Sequence, residues 1–116
     1  MNKIAICITL PSKIKWSDYQ KELEKVRYGD YQMNFKLPTI PKKVHIGDRC
    51  YICHKGKLIG WMQIVDIKQL NDFDCLTTGT HWKSGCYICR SGKFHYLTQD
   101  ISMKGFQGYK YINEID

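Results

Sequence analysis

The sequence predicts an α+β domain that is mainly β, with about six strands and one clear helix. Three observations carry this. Residues 3–10, "KIAICITL", are apolar and β-branched on both faces, as a strand buried on both sides requires. One stretch only, "KWSDYQKELEKVRYGD", has a helical period. From Val44 onward, runs rich in Val, Ile, Tyr and Cys alternate with glycine-centred turn signals. At 116 residues the chain is read as a single domain, 1–116, long enough to bury a core without a metal or disulfide.

The first strand is stopped by Pro11. Its apolar run is too short to cross a membrane and has no small-residue cleavage pattern, which predicts a cytoplasmic protein with its six cysteines reduced. A helix is expected at about 17–27. Ser17 and Gln20 make an S-x-x-Q capping box, Tyr19, Leu23 and Val26 fall on one stripe, and Gly29 terminates it. Residues 28–43 hold Pro38 and Pro41 without a clear period and are expected to be looped or extended.

"VHIGDRCYICHKGKLIGWMQIVDI" then reads as turn, strand, turn, strand. Gly47-Asp48 precedes the first strand, His54-Lys55-Gly56-Lys57 is the tight turn, and Gly60 is a candidate bulge. Trp61, in mid-strand, is expected in the core, and Trp16 is expected to pack back on the helix. "QLNDFDCLTTGTHWKSG" is polar and loop-like. "CYICRSGKFHYL" repeats the strand–turn–strand plan around Arg90-Ser91-Gly92-Lys93, and a last strand is expected over Tyr109–Ile112.

The repeated tetrapeptide CYIC raises a choice between chemistries. Two C-x-x-C pairs, Cys50/Cys53 and Cys86/Cys89, have zinc-ribbon spacing, and a zinc-ribbon interaction module is one alternative. The residues inside each pair argue against it. Tyr-Ile is strand-forming, and in a strand residues i and i+3 point to opposite faces, so the two thiols of a pair cannot share an ion. The turn signals lie after the pairs. Hairpins are therefore favoured, with no metal and no cofactor. No helix follows either pair to activate a thiol for redox work.

The formal net charge of +7 gives the domain a positive field that attracts polyanions. Cations for phosphates, aromatic faces for an unstacked base and polar groups for its edge occur together in two segments, "TTGTHWKSG" and "MKGFQGYKY", and on the second hairpin turn. The candidate nucleic-acid-binding residues are Thr80, His81, Trp82, Lys83, Arg90, Lys93, Lys104, Gln107 and Tyr109. Asp48, His81, Lys83 and His95 form no recognisable acid–base constellation, and no P-loop, dinucleotide fingerprint or nucleophile elbow is present.

The Gly-Asp turn, Lys/Gly hairpin and returning strand of residues 44–67 resemble the PUA-like superfamily, which includes PUA, ASCH and EVE-type domains. The resemblance covers about residues 44–112. It implies a small β-pseudobarrel with a flanking helix, used to bind RNA or modified bases. The G-x-K-x-x-E-x-R-like motif of ASCH domains has no counterpart in "SKIKWSDYQKELEKVR", so no catalytic residue is carried over. The expectation is a basic, non-enzymatic nucleic-acid-binding module with an aromatic-lined cleft, RNA ahead of DNA as partner and no membrane. A small ASCH-like enzyme acting on RNA or nucleosides is the other alternative.

Overall fold

The computed structural model describes residues 3–29, 31–70, 73–74, 79, 81–82 and 85–115; at 70, 73, 74, 81 and 82 the backbone alone is described. The elements are β1 (Ile4–Leu10), α1 (Trp16–Val26), β2 (Met33–Leu37), β3 (Arg49–His54), β4 (Lys57–Leu70), β5 (Phe73–Asp74), β6 (His81–Trp82), β7 (Gly85–Ser102) and β8 (Tyr109–Asn113). Six strands form one mixed sheet in the order β2-β7-β4-β3-β1-β8, and β5 and β6 pair by themselves. Among the described strands only β1 and β3 run parallel, with Ile6 opposite Cys50 and Thr9 opposite Cys53; the connection between them contains α1.

The central strands are buried on both faces, as "KIAICITL" implied. Ile6, Ile8 and Leu10 of β1 join Cys50 and Ile52 of β3 in one apolar cluster, closed by Tyr19, Leu23 and Val26 of α1. The alternate residues, Ala5, Cys7, Tyr51 and Cys53, belong to a second cluster, covered from the C-terminal side by Met103, Phe106, Ile112 and Ile115. The Tyr51 hydroxyl donates to the Ile115 carbonyl (2.8 Å) and accepts from its N–H (2.8 Å), fixing that tail to β3. Cys50 and Cys53 thus pack on opposite sides of the sheet. A zinc ribbon needs both sulfurs on one side, so that alternative is overturned by the strand geometry.

The two hairpin signals behave differently. HKGK makes a two-residue turn with both central residues at positive φ, Lys55 at 51° and Gly56 at 79°, the combination that matches the twist of paired strands. RSGK does not reverse the chain. β7 runs through it for 18 residues, and its register against β4 shifts between Trp61/His95 and Gln63/Ser91. Gly92 alone is at positive φ (91°), which suits a bulge and not a reversal. The expected second hairpin is therefore a bent strand. At Gly60 the register shifts as expected, because β7 crosses so closely that a Cβ there would lie 2.2 Å from the His95 carbonyl oxygen.

Other expectations shift by a residue or an element. The capping box at Ser17 is not used. Lys15 is the N-cap without a side-chain bond, and its carbonyl accepts from the Asp18 and Tyr19 amides (3.1 and 3.2 Å). Trp16 opens the helix and packs against Tyr19, His54 and Phe94, with ring centroids 5.3–5.8 Å apart, which sets the start of the first turn. The aperiodic stretch 28–43 contains a strand, β2, whose Met33 and Leu37 are buried against the core. Beyond it, Thr39 Oγ1 and the Tyr109 hydroxyl are 2.8 Å apart, bridging the two outermost strands of the sheet.

Candidate functional site: a cavity between the helix and the sheet

A cavity of about 300 Å³ opens between α1, the end of β1 and the edge strand β2. Its walls are apolar, with Ile8, Leu10, Ile14 and Ile52 on the β1–β3 side and Met33 and Phe35 from β2. The wall at Ile14 belongs to the loop between β1 and α1. His54 Nε2 holds that loop through a 2.8 Å bond to the Ile14 carbonyl. At the far end, Ser91 Oγ donates to the Tyr31 carbonyl (2.7 Å), anchoring the entry to β2 against β7.

Arg90 supplies the positive charge in this cavity. It sits on β7 opposite Met33 of β2 and Ile64 of β4, is 2% exposed, and lines the cavity. Its Nη1 donates to the Tyr19 hydroxyl at 3.0 Å. Its Nε is buried without a hydrogen-bond partner. No carboxylate lies within ion-pair distance of it among the described residues. A guanidinium remains charged in proteins, so the fold buries a cation whose donors are only partly used.

Two carboxylates share the cavity. Asp18 and Glu22 are four residues apart on α1, on the same side of the helix as the apolar stripe's edge, and both line the opening. Burial raises the Glu22 pKa above its ordinary value, against the opposing pull of Lys25 and Arg90. Burial likewise pushes the Tyr19 hydroxyl up, against the influence of Arg90, so Tyr19 is a neutral acceptor. Thr9 and Asn34 border the cavity between its apolar residues, and their side chains alternate to the other face of the sheet. Lys13 and Lys15 on the β1–α1 loop, and Lys36 beside Phe35 on β2, are exposed, and none is in an ion pair with a described residue.

A second, polar cleft of about 360 Å³ lies elsewhere, beside β3, β4 and the β7 bulge. Trp61, expected in the core, is half-buried there. It stacks on His95 (4.0 Å between centroids, 9° between planes) and carries the Arg49 guanidinium 4.1 Å from its ring centre. Burial, with the Lys93 and Arg49 charges, lowers the His95 pKa and keeps the imidazole neutral. The cleft's charges are largely satisfied internally. Lys3 pairs with Asp48 (3.0 Å) and Arg49 with Glu114 (3.5 Å). The first cavity, by contrast, has unspent donors.

The residues expected from the sequence divide accordingly. Thr80 and Lys83 lie outside the described residues. His81 and Trp82 are placed as backbone only, paired with Asp74 and Phe73. Arg90 is not on an exposed turn, a correction that follows from the continuity of β7; it faces inward, to the floor of the cavity. Lys93 is exposed at the bulge and lines the polar cleft. Lys104 and Gln107 are exposed in the segment before β8. The Phe106 amide donates to Thr9 Oγ1 (3.2 Å), which ties that segment to the face of the sheet opposite the cavity, with Cys7 and Cys53. Tyr109 is half-buried, pairs with Ile8, and uses its hydroxyl on Thr39. Sequence reasoning missed Asp18, Tyr19 and Glu22 as site residues. The available signal was an acidic i, i+4 pair bordering the apolar stripe of α1, the one helix among the described residues, in a basic chain.

Among the described residues, no three His, Cys, Asp or Glu converge as a metal site. Neither family models, curated proteins nor solved structures match this chain.

Proposed function

We propose that this chain is a basic nucleic-acid-binding module that takes single strands, RNA ahead of DNA, and holds one unstacked base in the cavity between α1 and the sheet. The observation that carries the reading is the apolar cavity with Arg90 on its floor and exposed Lys13 and Lys15 on the loop that gives Pro11 and Ile14 to its wall. A base needs flat apolar walls and a few polar groups for its edge, and its flanking phosphates need cations outside. The volume, at the low end for ligand sites, suits one base better than a larger ligand. The net charge of +7 supplies the long-range attraction. Membership of the PUA-like superfamily is part of this proposal. It is supported by the mainly β sheet with one flanking helix and by the Thr39–Tyr109 link between its outer strands.

The test is fluorescence anisotropy with labelled seven-residue RNA and DNA strands at increasing salt. If Lys13 and Lys15 each neutralise a phosphate, log affinity falls against log salt with a slope of about −1.4, at roughly 0.7 per contact on a single strand. Changing Lys13 and Lys15 together to Ala flattens that slope. Absence of binding at low salt to either polymer, or affinity indifferent to salt, would overturn the reading.

A further inference from the structure

We infer that the cavity selects guanine, through the free edge of the Arg90 guanidinium and the two carboxylates of α1. This rests on the base-binding reading above and adds to it the identity of the base.

The cavity's own charges reject some ligands. Asp18 and Glu22 line the opening, so a ligand bearing its own negative charge meets like charges on entry. A free phosphate, a carboxylate or a fatty acid therefore fits poorly, even though Arg90 has no ion-pair partner inside among the described residues. The ligand that suits both ends is neutral. It carries acceptors for the floor and donors for the rim.

The floor asks for two acceptors side by side. Nη1 of Arg90 is engaged by Tyr19, and Nε has no partner. What remains is the Nε–Nη2 edge, closed over at Nε in the free protein, whose parallel N–H groups match a pair of adjacent acceptors once an entering base parts the side chains in front of it. Ionised carboxylates only accept hydrogen bonds, so the rim asks for N–H donors. Asp18 and Glu22 stand one turn apart on α1, which provides two such acceptors.

Guanine meets both demands. O6 and N7 lie together on one edge, the pair that arginine reads most often, and N1–H and N2–H₂ lie on the next. Adenine puts a donor beside N7 and has no pair of adjacent acceptors there. Uracil separates its two carbonyls. Cytosine offers adjacent O2 and N3, but only its N4 amino group as donor, leaving one carboxylate unanswered. The apolar walls from Ile8, Met33 and Phe35 serve any base and do not discriminate.

The experiment uses the full chain and base analogues, so it does not depend on a variant folding. Labelled U3-X-U3 RNAs with X = G, inosine, 7-deazaguanine, A, C or U are titrated by anisotropy. G is expected to bind on the order of tenfold tighter than A, C or U, as one bidentate contact allows. Inosine, lacking the N2 amino group, and 7-deazaguanine, lacking N7, should each lose most of that preference. Glu22→Gln should narrow the gap between G and inosine. If all six RNAs bind equally, or if C exceeds G, the guanine assignment falls while nucleic-acid binding stands. If none binds, the underlying reading falls with it. Preference for G that survives both analogues would refute the stated contacts.

Discussion

Replacing Arg90 with Met removes a buried cation and keeps much of its side-chain volume. In the free protein Arg90 is 2% exposed, makes one hydrogen bond to Tyr19, and leaves Nε unpaired. Burial of an ion without a close partner costs several kcal/mol even after relaxation, and apolar replacement of buried charges often stabilises a fold by about 1–4 kcal/mol. Against this, Arg90→Met leaves the buried Tyr19 hydroxyl without its donor, at about 1–3 kcal/mol. Taken at their midpoints, the two favour the variant by about 0.5 kcal/mol. For a domain of this size that is a rise in Tm of roughly 2–4 °C. The double variant Arg90→Met/Tyr19→Phe removes the stranded hydroxyl too and should melt higher still. Calorimetry on the free proteins reads both, and anisotropy with U3-G-U3 should show the guanine preference lost. A fall in Tm on Arg90→Met would refute the reasoning, since it would mean the guanidinium stabilises the fold in the absence of a ligand.

Two further outcomes follow from the packing. Gly60→Ala places a Cβ 2.2 Å from the His95 carbonyl oxygen and 2.7 Å from Phe94 Cε2, and the two paired strands cannot separate locally; a loss of about 3 kcal/mol in urea unfolding is expected, as for severe overpacking. Gly105→Ala, whose Cβ meets only Thr9 Cγ2 at 3.3 Å, should lose less than about 1 kcal/mol, and equal costs for the two would contradict the close crossing of β4 and β7. Burial raises the thiols of Cys7, Cys50, Cys53, Cys86 and Cys89, with Cys50 pushed up to about 11. As pH rises past the ordinary thiol value the unfolded chain releases these protons first, so the folded state is favoured below it and loses that advantage as pH climbs toward the folded values. The urea midpoint should therefore drop between about pH 8 and about pH 10.5, less so in Cys50→Ala, and the native thiols should resist aromatic disulfide reagents until unfolding. A flat midpoint across that range would count against thiol burial.

Much of the fold was legible along the chain, because it depended on local pattern. The two-sided apolar run of β1, the Tyr19–Leu23–Val26 stripe and the Tyr-Ile spacers inside each cysteine pair report how each side chain must point once the backbone is extended or helical. What misled was punctuation. HKGK and RSGK look alike, yet the first turns and the second bulges, because only the first places two consecutive residues at positive φ and because β2 and β4 flank the start of β7 and hold it extended. β2 itself, too short and too close to Pro38 to show a period, exists because β7 offers it an edge.

The site followed the same division. Net charge and the abundance of lysine and aromatic residues belong to the composition, and they hold whatever the fold. That Arg90 faces inward depends on β7 continuing past Gly92, and that it meets Tyr19, 71 residues away, depends on the helix lying across the sheet. Short-range pattern specifies the direction of a side chain relative to its own strand or helix. Which distant groups it then meets, and whether its donors are left unpaired, is decided only when the sheet brings β7, β1 and α1 around one cavity.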